Sequence, residues 1–433
     1  MKEFKTKITD KTAHIGIIGL GYVGLPLAVE FGKAGFNVTG FDNDDKKISC
    51  LKKGESYILD IPSEDIKDIL SSKRLNATTD KSFLNKMDVI IICVPTPLRK
   101  TKEPDISFIL SAAEDTKANL RKRQLIVLES TTYPGTTEEV VLPKLGGNGL
   151  KVGKDIFVAF SPERVDPGNS KYKTKDIPKV VGGVSEVCTE LATLLYSQII
   201  KEVIPVSSPR SAEMVKLLEN TFRAVNIGLI NELALMCNKM GLDIWEIIDA
   251  AKTKPFGFMP FFPGPGLGGH CLPCDPIYLS WKARSHGFET RFIELAAEIN
   301  SSMPHYVIDK IADALNTQKK ALKGSRILII GVTYKKNIND LRESPALTVI
   351  NSLVDKEAKV QYHDPLVPKF EIDGLNLNSV DLTKENISSS DAVAILTDHT
   401  CLDYRLIVDN AKLIIDTRNA LKEFKDKERI IRL

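Results

Sequence analysis

The chain has 433 residues, beyond the ~250–300 at which a single hydrophobic core stops growing, so two or three domains are expected. A formal net charge of +3, with 27% charged and 43% hydrophobic residues, is ordinary globular composition. It lacks the basic excess of a nucleic-acid binder and the bias of a disordered tail.

The start, MKEFKTKITDKTAHIGIIGLGY, carries no basic n-region, apolar h-region and small-residue cleavage site in sequence, and its first apolar run already reads as a strand. No stretch approaches the ~20 uninterrupted apolar residues of a membrane span. The seven cysteines are odd in number and scattered, apart from Cys271 and Cys274, which suits a reducing compartment. A soluble cytoplasmic protein is therefore expected, without membrane or nucleic-acid partner.

From residue 13 short β-branched runs alternate with amphipathic stretches, the rhythm of a parallel sheet covered on both faces. Runs at 14–19, 36–41, 88–94, 125–130, 156–160 and 179–182 supply the strands. Gly19-Leu20-Gly21-Tyr22-Val23-Gly24 follows the first strand and opens a predicted helix. In that context the first glycine makes a tight turn, the second admits a pyrophosphate, and the third lets helix and strand pack closely. Asp42, at the end of the next predicted strand, can accept a ribose 2′-hydroxyl, so NAD is expected over NADP.

Glu129-Ser130-Thr131-Thr132 and Ser161-Pro162-Glu163-Arg164 each fall just beyond the carboxyl end of a predicted strand, where open α/β sheets bind ligands. A Glu and a Thr there either position a water or cap a loop. Ser208-Pro209 reads as N-cap and first residue of a long helix that stays apolar on most faces through Met236, so it is expected to be buried between domains or between subunits. On it Lys216 and Asn220, four apart, share a face; Lys216 serves a reacting alcohol or pairs with Glu213.

More helix follows at 243–253, then a Pro/Gly-dense loop is predicted at 254–276 and helices at 277–322. Within that loop Gly264-Pro265-Gly266-Leu267-Gly268-Gly269-His270-Cys271-Leu272-Pro273-Cys274-Asp275-Pro276 is expected to be neither helix nor central strand. Cys271, with Asp275 four residues on, is a candidate thiol nucleophile. Half a zinc site would lack a second Cys/His pair at ligand spacing, so no metal is expected, and a thioredoxin-like pair would lack its strand-to-helix turn. A merely packed cysteine stays open, as does a Cys271–Cys274 disulfide under oxidation. From Arg326 the strand–helix rhythm restarts, with strands predicted at 326–332, 359–365, 392–397 and 413–418.

GLGYVGLP (19–26), VPTP (94–97), ESTTYPGTT (129–137), SPERVDPGN (161–169), AEMVKLLENTFRAVNIGLINE (212–232), GPGLGGHCLPCDP (264–276) and LRESPA (341–346) together resemble the UDP-glucose/GDP-mannose 6-dehydrogenase family, most closely its UDP-N-acetylglucosamine 6-dehydrogenase branch. The resemblance spans roughly residues 13–425. It implies an α/β fold of two Rossmann-like doubly wound parallel-sheet domains joined by a helical middle domain with a long central helix: an NAD-binding domain at 1–206, a central domain at 207–322 that builds a homodimer and carries the cysteine loop, and a UDP-binding domain at 323–433.

The resemblance also implies a four-electron oxidation of the C6 hydroxyl of a UDP-N-acetylhexosamine, with UDP-N-acetylmannosamine or UDP-glucose as the alternative sugars. Cys271 looks like the nucleophile and Asp275 its partner carboxylate. Lys216 and Asn220 bind substrate and stabilise the oxyanion, and Glu163 with Thr131 handles the hydrolytic water. Cofactor contacts are implied for Gly19, Gly21, Tyr22, Val23, Gly24, Asp42, Lys47, Pro95, Thr96 and Thr131. Substrate contacts are implied for Glu163, Arg164, Asn169, Lys216, Asn220, Gly268, Arg342 and one of Lys335 and Lys336. A two-electron hydroxyacid dehydrogenase would leave Cys271 idle, and a non-catalytic NAD-sensing module would leave the glycine loop unexplained.

Overall fold

A computed structural model describes residues 1–58, 61–99, 101, 103–147, 149–165, 174–269, 271–372, 374–424 and 428–433; Asn169 and His270 lie outside these. By compactness the chain divides into two units, Met1–Glu219 with Trp281–Gly287, and Asn220–Ser280 with Phe288–Leu433.

After an N-terminal helix at Lys2–Thr9, the sheet of the first unit is built from β1 (His14–Ile18), β2 (Asn37–Phe41), β3 (Leu75–Thr78), β4 (Val89–Ile92), β5 (Gln124–Leu128), β6 (Ile156–Phe160), β7 (Lys179–Gly183) and β8 (Val203–Val206), with α1 (Gly24–Ala34) following β1 and α2 (Glu186–Tyr196) following β7 among its helices. These strands form one sheet in the order β3-β2-β1-β4-β5-β6-β7-β8. Alternate residues feed opposite cores. Ile15, Ile17, Ile91, Val127 and Ala159 join one apolar cluster, while Ile18, Ile90, Ile92, Ile126 and Phe160 join the other. Burial on both faces explains why these strands read as continuous apolar runs.

The sheet departs from the expected parallel pattern at one seam, because β6 and β7 pair antiparallel. Between them the described chain holds only a short 3₁₀ turn, Thr174–Asp176, with no helical crossover to carry it back for a parallel return. β3 was not foreseen. Its Leu-Asn-Ala-Thr alternates buried and less buried positions at the sheet edge and offers little apolar signal.

The long helix α3 (Pro209–Met240) begins where predicted, with the Ser208 hydroxyl accepting the Ser211 N–H at 3.1 Å. The division between the units falls inside it. It is not buried all round, since Phe222, Leu229, Met236 and Met240 are exposed along it.

In the second unit α4 (Ile244–Ala251) precedes the glycine-rich segment, which ends earlier than expected: α5 (Cys271–Arg284) starts at the cysteine itself. Pro273 lies in the first turn, where an N–H has no intrahelical acceptor, so its missing donor costs little; Pro276 lies within the helix. After α6 (Arg291–Thr317) come β9 (Arg326–Ile330), α7 (Pro345–Asp355), β10 (Lys359–His363), the hairpin β11 (Lys369–Ile372) and β12 (Leu375–Asn378), β13 (Ala392–Ile395), β14 (Ile414–Asp416) and β15 (Ile430–Arg432). The four predicted strands pair in parallel, with β15 added, in the order β10-β9-β13-β14-β15. Ile327 and Ile329 face one core, Leu328 and Ile330 the other. No helix among the described residues is long and apolar enough to cross a membrane.

Candidate active site

The strand order reverses between β1 and β4, and the glycine turn leaves β1 at that switch point. Gly19 has φ +93°, and a Cβ on it would stand 2.5 Å from the Cys93 carbonyl oxygen; one on Gly24 would stand 1.9 Å from the Gly19 oxygen. Nothing lies within 4 Å of the corresponding position on Gly21. The first and third glycines are thus required by the protein's own packing, and the second leaves room for a ligand's phosphates. Tyr22 is exposed beside it, and Val23 leads into α1.

Asp42 ends this cradle. Its Oδ2 accepts the Leu20 N–H at 2.8 Å and the Lys47 ammonium at 3.1 Å, and its Oδ1 accepts the Asp44 N–H at 3.0 Å. Burial pushes the carboxyl up, but the two N–H donors and Lys47 outweigh it and hold the group below its ordinary range. An ionised carboxylate with about four lone-pair sites, three of them used, keeps a place for a ribose hydroxyl. The residues fit a dinucleotide, with Lys47 engaged on Asp42. Pro95, exposed, and Thr96, buried, follow β4 along the same edge of the sheet.

Beyond the carboxyl ends of β5 and β6 stand Glu129, half-buried Thr131 and Glu163. Glu163 Oε1 accepts the N–H groups of Arg164 at 2.8 Å and Val165 at 2.6 Å. Its Oε2 faces the Lys179 ammonium at 3.3 Å, and that ammonium also reaches Glu129 Oε2 at 2.8 Å. The Tyr196 hydroxyl donates to the other Glu129 oxygen. Burial raises Glu163, yet Lys179, the Val165 N–H and Lys216 outweigh it, so its carboxyl lies below the ordinary value. Glu129 goes the other way, raised by burial with Lys179 only partly compensating.

Lys179 and Tyr196 were not foreseen as site residues. The signal was a lysine opening the apolar strand KVVGG, legible only as a strand start.

Lys216 is half-buried on α3. The alternative of a Glu213–Lys216 ion pair is not formed, because Glu213 instead accepts from the Gly135 N–H at 2.5 Å, the Thr137 N–H at 2.9 Å and the Thr137 hydroxyl at 2.7 Å. Arg164 is held by Glu219 and by the Pro178 carbonyl, at 2.5 and 2.6 Å.

In the second unit the glycine loop is laid against its own C-terminal sheet domain. A Cβ on Gly268 would stand 2.5 Å from Tyr334 Cβ and 2.7 Å from the Glu343 oxygen. Gly269, at φ +85°, faces the Tyr334 ring at 2.8 Å and donates its N–H to the Arg342 carbonyl at 2.9 Å. Asn231 accepts the Gly264 N–H at 3.0 Å and bonds Asn300 at 2.8 Å, both side chains buried. This anchoring delivers Cys271, half-buried, at the first position of α5. One turn on, Asp275 is buried and accepts the Asn220 amide N–H at 2.5 Å.

Cys274 is buried on the same helix, and burial, then the charges of Asp275 and Glu343, push its thiol up to about 12. Residues three apart on a helix hold their Cβ atoms ~5–6 Å apart, farther than a disulfide allows. The packed reading of Cys274 is the one this geometry supports. Lys336 pairs with Asp398 at 3.1 Å and Arg342 with Asp340 at 2.6 Å, while Tyr334, the residue before Lys335, packs on the glycine loop.

Three models of the UDP-glucose/GDP-mannose dehydrogenase family match the chain: its NAD binding domain at residues 13–200, its central domain at 210–302 and its UDP binding domain at 328–423. UDP-N-acetyl-D-glucosamine 6-dehydrogenase of Pseudomonas aeruginosa is 38% identical over 359 residues, 82% of this chain and 84% of that protein. UDP-N-acetyl-D-mannosamine dehydrogenase of Pyrococcus horikoshii is 35% identical over 419 residues, 95% of this chain and 96% of that protein. The solved UDP-D-ManNAc dehydrogenase structure from Pyrococcus horikoshii superimposes with a TM-score of 0.87 at 33% identity, covering 97% of this chain and 98% of the other.

Proposed function

Because the chain belongs to the UDP-glucose/GDP-mannose dehydrogenase family, an NAD-dependent nucleotide-sugar 6-dehydrogenase family, we propose that it oxidises the C6 hydroxyl of UDP-N-acetylglucosamine to the carboxylate with Cys271 as covalent nucleophile. The observation that carries this reading is the seating of Cys271 at the head of α5, behind an anchored glycine loop and one turn before the buried Asp275–Asn220 pair.

A primary alcohol becoming an acid gives up four electrons, so one sugar carbon loses two hydrides in succession. Bound NAD, held at Gly19–Gly24 and Asp42, supplies the hydride acceptor for each oxidation. The C6 hydroxyl gives up its proton through water to Asp275, and the Lys216 ammonium stabilises the alkoxide that forms. The Cys271 sulfur, as thiolate, adds to the resulting aldehyde carbon and forms a C–S bond; a helix N-terminus favours that negative charge. Asn220 and Lys216 stabilise the thiohemiacetal oxyanion, and loss of the second hydride leaves a thioester. Thr131 positions a water, Glu163 removes its proton, the new C–O bond displaces the sulfur, and Asp275 handles the proton exchanged with the departing thiolate. Glu163, Arg164 and Gly268 are assigned to the sugar, and Arg342 with one of Lys335 and Lys336 to the nucleotide.

In this reading residues 1–206 bind NAD, 207–322 form the central domain and 323–433 bind UDP. Phe222, Leu229 and Met236 recur every seventh residue on one face of α3 and are exposed; an exposed apolar stripe of this kind supports a homodimer in which a second copy covers it.

The support for the N-acetylglucosamine sugar is the 38% identity to the Pseudomonas aeruginosa enzyme. The Pyrococcus horikoshii likeness, over a larger share of the chain, favours UDP-N-acetylmannosamine as the second reading. Assays with UDP-GlcNAc, UDP-ManNAc, UDP-GalNAc, UDP-glucose and GDP-mannose, identifying each acid by mass, decide between them. UDP-GlcNAc is expected to give the highest kcat/KM, with UDP-glucose lower by about 10²-fold, the scale on which one substrate contact discriminates. A higher value for any other sugar contradicts the assignment.

A further inference from the structure

The buried group Glu129–Lys179–Tyr196 has no part in the reaction above, yet it is built against Glu163. Its origin is the antiparallel seam. β6 and β7 pair Ala159 with Gly183 and Phe160 with Gly182, and continuing that register past the end of β6 sets Lys179, the first residue of β7, opposite Glu163. A parallel β7 would have presented its carboxyl end there instead.

Lys179 is 4% exposed, Glu129 1% and Tyr196 0%. The ammonium lies between the two carboxylates, 2.8 Å from Glu129 and 3.3 Å from Glu163, and 5.2 Å from the centre of the Tyr196 ring. Buried charges of this kind persist only when paired and hydrogen-bonded. Here Glu129 is fixed by Tyr196, Lys179 by Glu129, and Glu163 by Lys179 and two N–H groups.

We propose that Lys179, seated by Glu129 and Tyr196, is a positioning residue that holds Glu163 as an ionised, immobile base for thioester hydrolysis; this rests on the reading of Glu163 given above. One cation between two carboxylates leaves a net negative charge in a dry place, so a proton taken up by the group needs an address. The directions agree on Glu129, whose carboxyl is raised by burial, while Glu163 is lowered by Lys179 and the Val165 N–H against its own burial. The other groups in this field are Lys216, whose charge also holds Glu163 down, and Cys93, whose thiol is kept neutral by burial and by the nearby Glu129. Arg164 is turned to Glu219.

The test uses the full-length enzyme with NAD and the sugar selected by the panel, comparing Lys179→Met, Lys179→Gln, Lys179→Arg, Glu129→Gln and Glu163→Gln. Ionised Glu163 is the active base, so hydrolysis is lost as pH falls through its ionisation. Lys179→Met removes the holding charge and is expected to move the acidic limb of kcat to higher pH and lower kcat by about 10²-fold, the scale of one general base. KM should change less than about threefold. The NADH burst of two per site should persist, and intact mass should show acyl-enzyme accumulating. Lys179→Arg restores part of the rate. Lys179→Gln keeps a hydrogen-bond donor at that position without the charge and likewise moves the limb to higher pH; it carries the test where Lys179→Met does not fold. Glu129→Gln, neutral where Glu163 titrates just as protonated Glu129 is, leaves the limb near its wild-type pH. A folded Lys179→Met or Lys179→Gln with an unmoved limb, or a Lys179→Met burst lost together with the steady rate, overturns the proposal while Glu163→Gln remains inactive in hydrolysis. Normal hydrolysis in Glu163→Gln removes the underlying reading of Glu163 itself.

Discussion

Cys271→Ala is expected to yield no uronic acid while folding and binding NAD as the wild type does. The second oxidation needs a carbon that carries a hydrogen and an oxyanion, and the aldehyde becomes such a centre only when a nucleophile adds to it. Among the described residues of the glycine loop and the first turn of α5 the other thiol is Cys274, buried and raised to about 12, so it does not substitute. Removing a catalytic nucleophile costs roughly 10⁴-fold or more in kcat where it has been measured in hydrolases. The alanine also removes little packing, because Cys271 is half-buried and its loop is anchored through Asn231, Tyr334 and Arg342. Acid production within tenfold of wild type in the folded variant defeats covalent catalysis.

Asp275→Asn is expected to lower kcat by about 10²–10³-fold with KM little changed, the loss associated with one proton-transfer group. The replacement keeps size and shape at a buried position and removes the charge. It also places an amide against the Asn220 amide, so that one of the two must rotate to keep the 2.5 Å hydrogen bond. Asn220 then changes what it presents to the oxyanion, and the proton leaving or joining the sulfur loses its acceptor. Steady-state kinetics at several pH values, with melting temperature as the folding control, measures this. A kcat within fivefold of wild type shows that Asp275 serves only to hold Asn220.

The sheet strands and the glycine turn were legible because their causes are local. β-branched runs buried on both faces, and a glycine whose added Cβ would strike the Cys93 carbonyl, are written in adjacent residues. α5 was not, since two prolines within a glycine-rich stretch argue against helix; the first-turn position of Pro273 removes one objection, and the helix carries Pro276 inside it all the same. The edge strands β3 and β15 and the hairpin β11–β12 are short, with too few apolar residues to announce themselves. Among the candidate site residues, Cys271, Asp275, Lys216, Asn220 and Glu163 stood out by motif. Lys179 did not, because its partnership with Glu163 depends on the direction of β7, and strand direction comes from the route of the connection rather than from the strand's residues. Likewise the fate of Glu213 depended on the turn at Gly135–Thr137, far away in sequence.

The central claim is that one sugar carbon is oxidised twice at Cys271, and counting electrons per product tests it most directly. Wild-type enzyme given limiting UDP-N-acetylglucosamine and excess NAD should release two NADH for each UDP-N-acetylglucosaminuronate identified by mass. A ratio of one, with an aldehyde or ketone as the product, would contradict the account.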